Sequence, residues 1–408
     1  MTERYRLHPV VRRLIALRAA RSLGQGALVV DLALYLKALG WSGVAIGGTL
    51  AGAGLLAATL SMGVGVASDR AGRRRFLVAA EVLTVACALA ALASSNPWIL
   101  VPAILFAGFG RGINGAASFF GPAEQAWLAA VVGPAERGHV YSLNLAAGSI
   151  GMAAGAGLAA LPQLLAPALG TEWAFRVLFF VPLGGALVNL ASLARLHERE
   201  RPAQPPRAAA EQPRRRRENR ALAWLAGLNS VNGLAIGLTT PLLSYWFSVR
   251  FGIGAAAIAP FMAATFLASG VASIVTGRLT RRIGVVPAVV SVRALGVFLL
   301  AAVPLSPVYA LAAGFYALRS ALNRGSIGAR QALVVSLVDD DRRGFAASLN
   351  AASFQYAMAA GPALAGALLD AGFLMIPFFL AAALQTVYVA GFGLAFRRHD
   401  PARQAPRG

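Results

Sequence analysis

Twelve apolar runs, each about as long as a membrane-crossing helix, dominate the 408-residue sequence and limit what it can fold into. A hydrocarbon core about 30 Å thick takes roughly 20 residues of helix. Cutting the chain at its charged, Gly and Pro punctuation gives runs at 13–39, 44–67, 76–95, 98–130, 137–165, 174–195, 221–247, 254–279, 285–304, 307–337, 344–369 and 373–396. They are too long and continuous for the ~10-residue alternation of a membrane barrel. In lipid, a helix satisfies its own backbone polar groups, so each run is expected to be helical. Only 13% of residues are charged, against about 25% in soluble proteins. A water-facing globule is excluded. The expected fold class is an all-α membrane protein with twelve transmembrane helices.

The charge is as informative as its scarcity. Net charge is +21, with Lys37 the sole lysine, so the basic residues are nearly all Arg. They gather on alternate loops: Arg4 to Arg13, Arg70 to Arg75, Arg137, Arg195 to Arg220, Arg278 to Arg282, Arg342 and Arg343, and the tail from Arg397. The opposite loops offer little beyond Lys37 and Arg250. Positive loops stay cytoplasmic, which predicts both termini inside. The basic residues border spans and carry no interleaved aromatics, so they fit anionic lipid heads and not nucleic acid. No removable signal peptide is expected. With one Cys (Cys87) and four scattered His, no disulfide, metal site or cofactor is expected.

Residues 196–220, rich in Pro and Arg, form the one long polar stretch and read as a solvated cytoplasmic linker. It separates a six-helix bundle at 1–195 from another at 221–397, with a cytoplasmic tail at 398–408. The halves resemble each other. At an offset of 212, Gly40, Ala45, Ile46, Gly65, Arg70 and Gly72 meet Gly252, Ala257, Ile258, Gly277, Arg282 and Gly284. At 206, Gln125-Ala126, Arg137-Gly138, Ser142-Leu143-Asn144 and Gly155 meet Gln331-Ala332, Arg343-Gly344, Ser348-Leu349-Asn350 and Gly361. Apolar bias alone does not recover polar triplets in register, so this is a duplicated unit. Paired bundles are suited to rocking about a site between them.

Gly65-Val-Ala-Ser-Asp69-Arg70-Ala-Gly72-Arg73-Arg74 resembles the loop signature of the major facilitator superfamily, between spans 2 and 3 as in that family. Arg111-Gly-Ile-Asn114-Gly115 is similar to its span 4 element, and the likeness extends to span count, repeat and linker. The resemblance implies a latch. Asp69 would contact the N-terminal end of span 11, where the helix dipole favours negative charge. Arg70 and Arg73 would reach acidic groups near the end of span 4, with Glu124 the candidate. Gly65 and Gly72 would permit the turn. A plain positive-inside hairpin explains Arg73–Arg75 but not Asp69 or the glycine spacing. The second copy has Arg281 at the Asp69 position and Val285 at the Arg73 position, so the latch is expected on one side.

Asp31 lies about 15 Å along the first helix from Arg21 at 1.5 Å per residue, near mid-membrane. A carboxylate there costs roughly 2.5–3.5 kcal/mol on insertion scales, so it should face a cavity or a partner. Gly24, Asp31 and Tyr35 share a face. Asp31 is read as a proton carrier or as a structural ion pair with Arg111. Resemblance to the superfamily's drug–proton antiporters, with their first-span acid and fourth-span Arg, favours the carrier. Arg111 and Asn114 project together; Tyr316, Arg319 and Asn323 form a matching stripe, and Asn229 with Asn232 another. The resemblance places these spans around a central cavity. For the Asn pair, interhelical hydrogen bonding stands equally beside ligand contact.

Other signals carry less. Gly110 to Gly115 fits a nucleotide fingerprint but follows no strand. Gly151 and Gly155 read as a close-packing pair. In span 5, Ala156 stands where the antiporter signature has proline. Glu81 is expected to snorkel towards water, and Arg293 receives no role. The expected function is secondary transport by alternating access: proton-coupled efflux of small organic compounds, with uptake of a small nutrient, anionic ones included, as the alternative. An integral membrane enzyme is the remote third reading, since no nucleophile–base set is visible. No Walker motif supports ATP-driven pumping. A small-molecule substrate, protons and lipids are the expected partners, in a monomer of the bacterial inner membrane.

Overall fold

The computed structural model describes residues 8–110, 121–132, 137–196, 212–326, 330 and 343–396, and no strand occurs among them. The helices are α1 (Pro9–Ala38), α2 (Gly43–Ala71), α3 (Arg73–Ala93), α4 (Pro97–Ala107), α5 (Gly121–Val131), α6 (Arg137–Leu158), α7 (Leu161–Leu169), α8 (Thr171–Arg176) and α9 (Phe180–Ala194). They continue as α10 (Gln212–Thr239), α11 (Leu243–Phe251), α12 (Ala255–Ile283), α13 (Val285–Leu305), α14 (Tyr309–Gly325), α15 (Arg343–Asp370) and α16 (Ile376–Phe396). Among the described residues, seven helical stretches are long and apolar enough to cross a membrane. The 30-residue α1 is not one of them; it carries Arg12, Arg13, Arg18, Arg21, Asp31 and Lys37.

Local chemistry sets the ends. Pro9 at the first turn of α1 follows His8, whose Nδ1 accepts from the Val10 amide; Asn96 caps α4 the same way ahead of Pro97. Gly72 and Gly284, matched in the repeat, take φ +94° and +91° just before α3 and α13, a conformation other residues reach only with strain. The run expected to be continuous over 98–130 is broken. Gly108 and Gly110 adopt φ +65° and +75°, so α4 stops at Ala107 with Phe109 buried against Phe179.

The chain forms two compact units: Met1–Trp41 with Leu56–Glu200 and Ile253–Phe266, and Ser42–Leu55 with Arg201–Gly252 and Leu267–Gly408. Each takes in the first turns of a helix whose remainder belongs to the other, α12 in the first unit and α2 in the second. In the first unit, α1 packs on α6 through glycines. A Cβ on Gly155 would stand 1.9 Å from the Leu23 carbonyl oxygen, and one on Gly26 2.2 Å from that of Met152. The second unit repeats this between α10 and α15, where a Cβ on Gly237 would stand 2.2 Å from the Met358 carbonyl oxygen. Leu14, Leu77, Trp127 and Leu193 are among the core of the first unit; Leu222, Val289, Tyr388 and Phe392 are among that of the second.

Candidate functional site

Asp31 is buried on α1 at 1% exposure, and neither carboxylate oxygen has a hydrogen-bond partner among the described residues. One turn on, Tyr35 is equally buried, its ring against Phe175 and Phe179 at centroid distances of 5.8 and 6.1 Å. Gly24 lets α1 approach α9: a Cβ there would meet the Pro182 backbone at 2.7 Å. Arg111 and Asn114, the expected neighbours of Asp31, lie outside the described residues.

Ten residues before Asp31, Arg21 organises a polar network inside the first unit. Its Nε and Nη2 donate to Glu81 Oε1 at 3.1 and 2.5 Å, and its Nη1 to Glu124 Oε2 at 2.8 Å. Asn189 Nδ2 adds a bond to Glu81 at 3.0 Å, and Asn144 Nδ2 one to Glu124 Oε1 at 3.3 Å. Arg18 Nη1 lies 3.6 Å from the same Glu124 oxygen. Two guanidinium groups thus face two carboxylates, so the network is neutral. A cavity of about 20 Å³ beside Arg21, Gln25 and Glu81 has room for one water.

Glu81 corrects the expectation of a snorkelling side chain. It is 1% exposed and paired, because Arg21 from α1 and Asn189 from α9 meet it inside the bundle. Glu124, expected to face the loop after span 2, has Arg21, Arg18 and Asn144 on its carboxylate. Of the other latch residues, Arg73 is buried at the start of α3 and Gly72 makes the turn, while the side chains at 65, 69 and 70 are outside the description. The neighbouring Arg74 donates from Nε to the Leu193 carbonyl at 2.9 Å, closing the C-terminal end of α9.

In the second unit the expected residues divide. Asn229 Nδ2 donates to Asn350 Oδ1 across α10 and α15. Asn232 Oδ1 accepts from Arg293 Nη1 at 3.0 Å. Tyr316 donates its hydroxyl to Thr240 Oγ1 at 3.0 Å and lies under the Arg319 guanidinium, 5.4 Å from ring centroid to Cζ. Arg319 is 2% exposed, with Nε and Nη2 unpartnered among the described residues, as is Asn323 Oδ1. Sequence reasoning missed the roles of Arg21, Arg18, Asn189 and Arg293; the available signal was an Arg pair three residues apart inside an apolar run.

It also missed Asp370. At the end of α15 its carboxylate accepts from the amides of Gly43 (2.6 Å) and Val44 (2.8 Å), capping α2. The first unit has the counterpart, Gln163 Oε1 accepting from the Ala256 amide at the start of α12 at 3.0 Å. Val44 and Ala256 are matched at the 212-residue offset.

The family model described as Major Facilitator Superfamily matches residues 14–284 and, in a second overlapping match, 225–408. The chain belongs to the Major Facilitator Superfamily. It is accordingly a multi-pass membrane protein of a transporter family and not an enzyme. Over 147 residues it is 31% identical to multidrug resistance protein MdtH of Cronobacter sakazakii, a stretch covering 36% of this chain and 31% of that relative. MdtH of Yersinia pestis is 34% identical over 148 residues, with the same coverage. The chain thus spans about a third of the length of these curated relatives. Among solved structures, the fold matches the nucleoside transporter NupG with a TM-score of 0.74 at 12% identity, over 95% of this chain and 100% of that one. A bacterial homologue of the human lysosomal transporter Spinster matches at 0.69 and 14%, over 97% and 98%. The D-xylose-proton symporter matches at 0.68 and 14%, over 94% and 97%. This superfamily member shares the fold with those transporters.

Proposed function

We propose that this superfamily member is a secondary active transporter of the bacterial inner membrane that exports small organic compounds by alternating access, coupled to protons. Twelve spans in two bundles, 1–195 and 221–397, joined by a cytoplasmic linker with both termini inside, complete the reading. The observation that carries it is Asp31: a carboxylate buried on α1 without a hydrogen-bond partner among the described residues. An ion without counter-charge is costly in low dielectric. Such a group is best held with a proton and releases it when the pocket is wetted or a cation arrives. Tyr35 and the aromatic rings around it would supply apolar contact for a substrate, with Asn114 a further contact and Arg111 tuning the proton affinity of Asp31. Asn229, Asn232, Tyr316, Arg319 and Asn323 are the proposed substrate contacts from the second half. The similarity to MdtH supports the outward direction.

The paired caps support alternating access. Asp370 holds the first turn of α2 and Gln163 that of α12, two helices that continue into the other unit. Both caps would break once per cycle, and Asp69, Arg70 and Arg73, with Gly65 and Gly72 shaping the turn, would act as the conformational latch. A screen in a pump-deficient host tests the direction. Overexpression should raise resistance to at least one class of organic compound, and Asp31→Asn should abolish it at equal membrane abundance. Unchanged susceptibility across a broad panel contradicts export. Uptake of a small anion is the second reading, favoured by the unpartnered guanidinium nitrogens of Arg319.

A further inference from the structure

The polar cores of the two units occupy positions matched in the repeat and differ in charge, the first balanced and the second positive among the described residues. Gly26 and Gly237 each face the carbonyl of a methionine, Met152 and Met358, which are 206 residues apart. This sets α1 against α10 at an offset of 211, so that Arg18 and Arg21 correspond to Asn229 and Asn232. The 212 offset that relates Gly72 to Gly284 carries Glu81 onto Arg293, and the 206 offset that relates Gln125 to Gln331 carries Glu124 onto Arg330. The contacts follow the correspondence. Arg21 binds Glu81 in one unit, and Asn232 binds Arg293 in the other. Two arginines and two glutamates in the first unit become two asparagines and two arginines in the second.

Among the described residues, that substitution leaves an excess of positive charge in the second core. Arg293, 2% exposed, donates from Nε to Ser326 Oγ at 3.2 Å and lies over the Tyr388 ring at 5.2 Å. Arg330 Nη1 donates to the Tyr388 hydroxyl at 3.4 Å. Arg330 and Arg293 thus meet the same tyrosine, and a Cβ on Gly296, one turn along α13 from Arg293, would lie 3.9 Å from Arg319 Cγ. Six nitrogens that carry hydrogens are buried without a partner among the described residues: Arg293 Nη2, Arg319 Nε and Nη2, Arg330 Nε, Asn232 Nδ2 and Gln385 Nε2. Against them stand one amide oxygen, on Asn323, and the Ser244 hydroxyl. The carboxylate of this unit with a described side chain, Asp370, is engaged at the start of α2; those of Glu211, Glu218, Asp339, Asp340, Asp341 and Asp400 lie outside the described residues.

We propose that Arg293, Arg330 and Asn232, with Arg319 beside them, form a binding site for an oxyanion, a carboxylate or a phosphate group. Buried cations require a counter-charge. Guanidinium forks pair with the two oxygens of such a group better than with a spherical ion. The group comes either from a free anion or from the head of an anionic lipid. The site lies within one unit and does not depend on proton coupling or on the direction of transport.

The test uses full-length protein in neutral detergent and Tris–chloride, with inorganic phosphate or acetate replacing chloride at constant ionic strength. A separate arm compares mixed micelles of phosphatidylglycerol and phosphatidylcholine. Thermal unfolding midpoints are read for wild type, Arg293→Gln and Arg330→Gln. A saturable rise with phosphate or acetate identifies a free anion; a rise confined to phosphatidylglycerol identifies the lipid head. Either Gln variant should weaken the apparent affinity at least about tenfold, as expected for loss of a charged hydrogen-bond donor. If one variant does not fold, the other supplies the comparison. Absence of any saturable rise in wild type, or an equal rise in the folded variants, overturns the site. Because no gradient or substrate is involved, failure of export leaves this result standing, and the reverse also holds.

Discussion

Arg21 grips Glu81 through two nitrogens, Nε at 3.1 Å and Nη2 at 2.5 Å, joining α1 to α3 where both side chains are buried. The pair continues through Arg21 Nη1 to Glu124, so one guanidinium serves two carboxylates. Removing it leaves Glu81 with Asn189 alone and Glu124 with Asn144 and the longer contact to Arg18. Arg21→Met is expected to cost about 3–5 kcal/mol, the usual penalty for leaving a buried partner uncompensated. The double variant Arg21→Met/Glu81→Met should recover part of that loss. Thermal unfolding in detergent reads both. A double variant less stable than Arg21→Met would contradict the pairing.

Glycine spacing gives a sharper contrast. A Cβ on Gly155 would fall 1.9 Å from the Leu23 carbonyl oxygen, whereas one on Gly157 meets nothing within 4 Å. Gly155→Val is expected to prevent recovery of folded, monodisperse protein, because backbone cannot yield as a side chain does. Gly157→Val should elute as wild type does in size-exclusion chromatography.

Asp370→Ala removes both acceptors from the first turn of α2. A lost N-terminal cap costs about 1 kcal/mol, so a lower unfolding midpoint is expected. Gln163→Ala should act in the same direction on α12 through the Ala256 amide. If these caps also break in each transport cycle, the two variants will change the transport rate at equal protein abundance. Unchanged rates would confine the caps to stability.

The all-helical membrane class was legible because hydrophobic length is a property of the chain itself. The duplication was legible for a similar reason: polar triplets such as Ser142-Leu143-Asn144 and Ser348-Leu349-Asn350 cannot recur by apolar bias. What the sequence concealed was pairing between distant helices. Glu81 looks like a snorkelling residue until Arg21, 60 positions earlier, is seen beside it. Arg293 has no evident role in its own helix, and its partners come from α10, the end of α14 and α16. The break after Ala107 was hidden differently. Glycine is tolerated within membrane helices, and nothing local in the sequence marks the left-handed turn at Gly108 and Gly110, between which Phe109 packs on the distant Phe179.

The most direct test of proton-coupled transport is proton release by purified protein in weakly buffered detergent near neutral pH. The ligand is a compound first identified by thermal shift. Wild type should release protons on addition of that compound, and Asp69→Asn should do the same. Asp31→Asn should bind the compound and release none. Release persisting undiminished in Asp31→Asn would contradict the assignment of the coupling carboxylate.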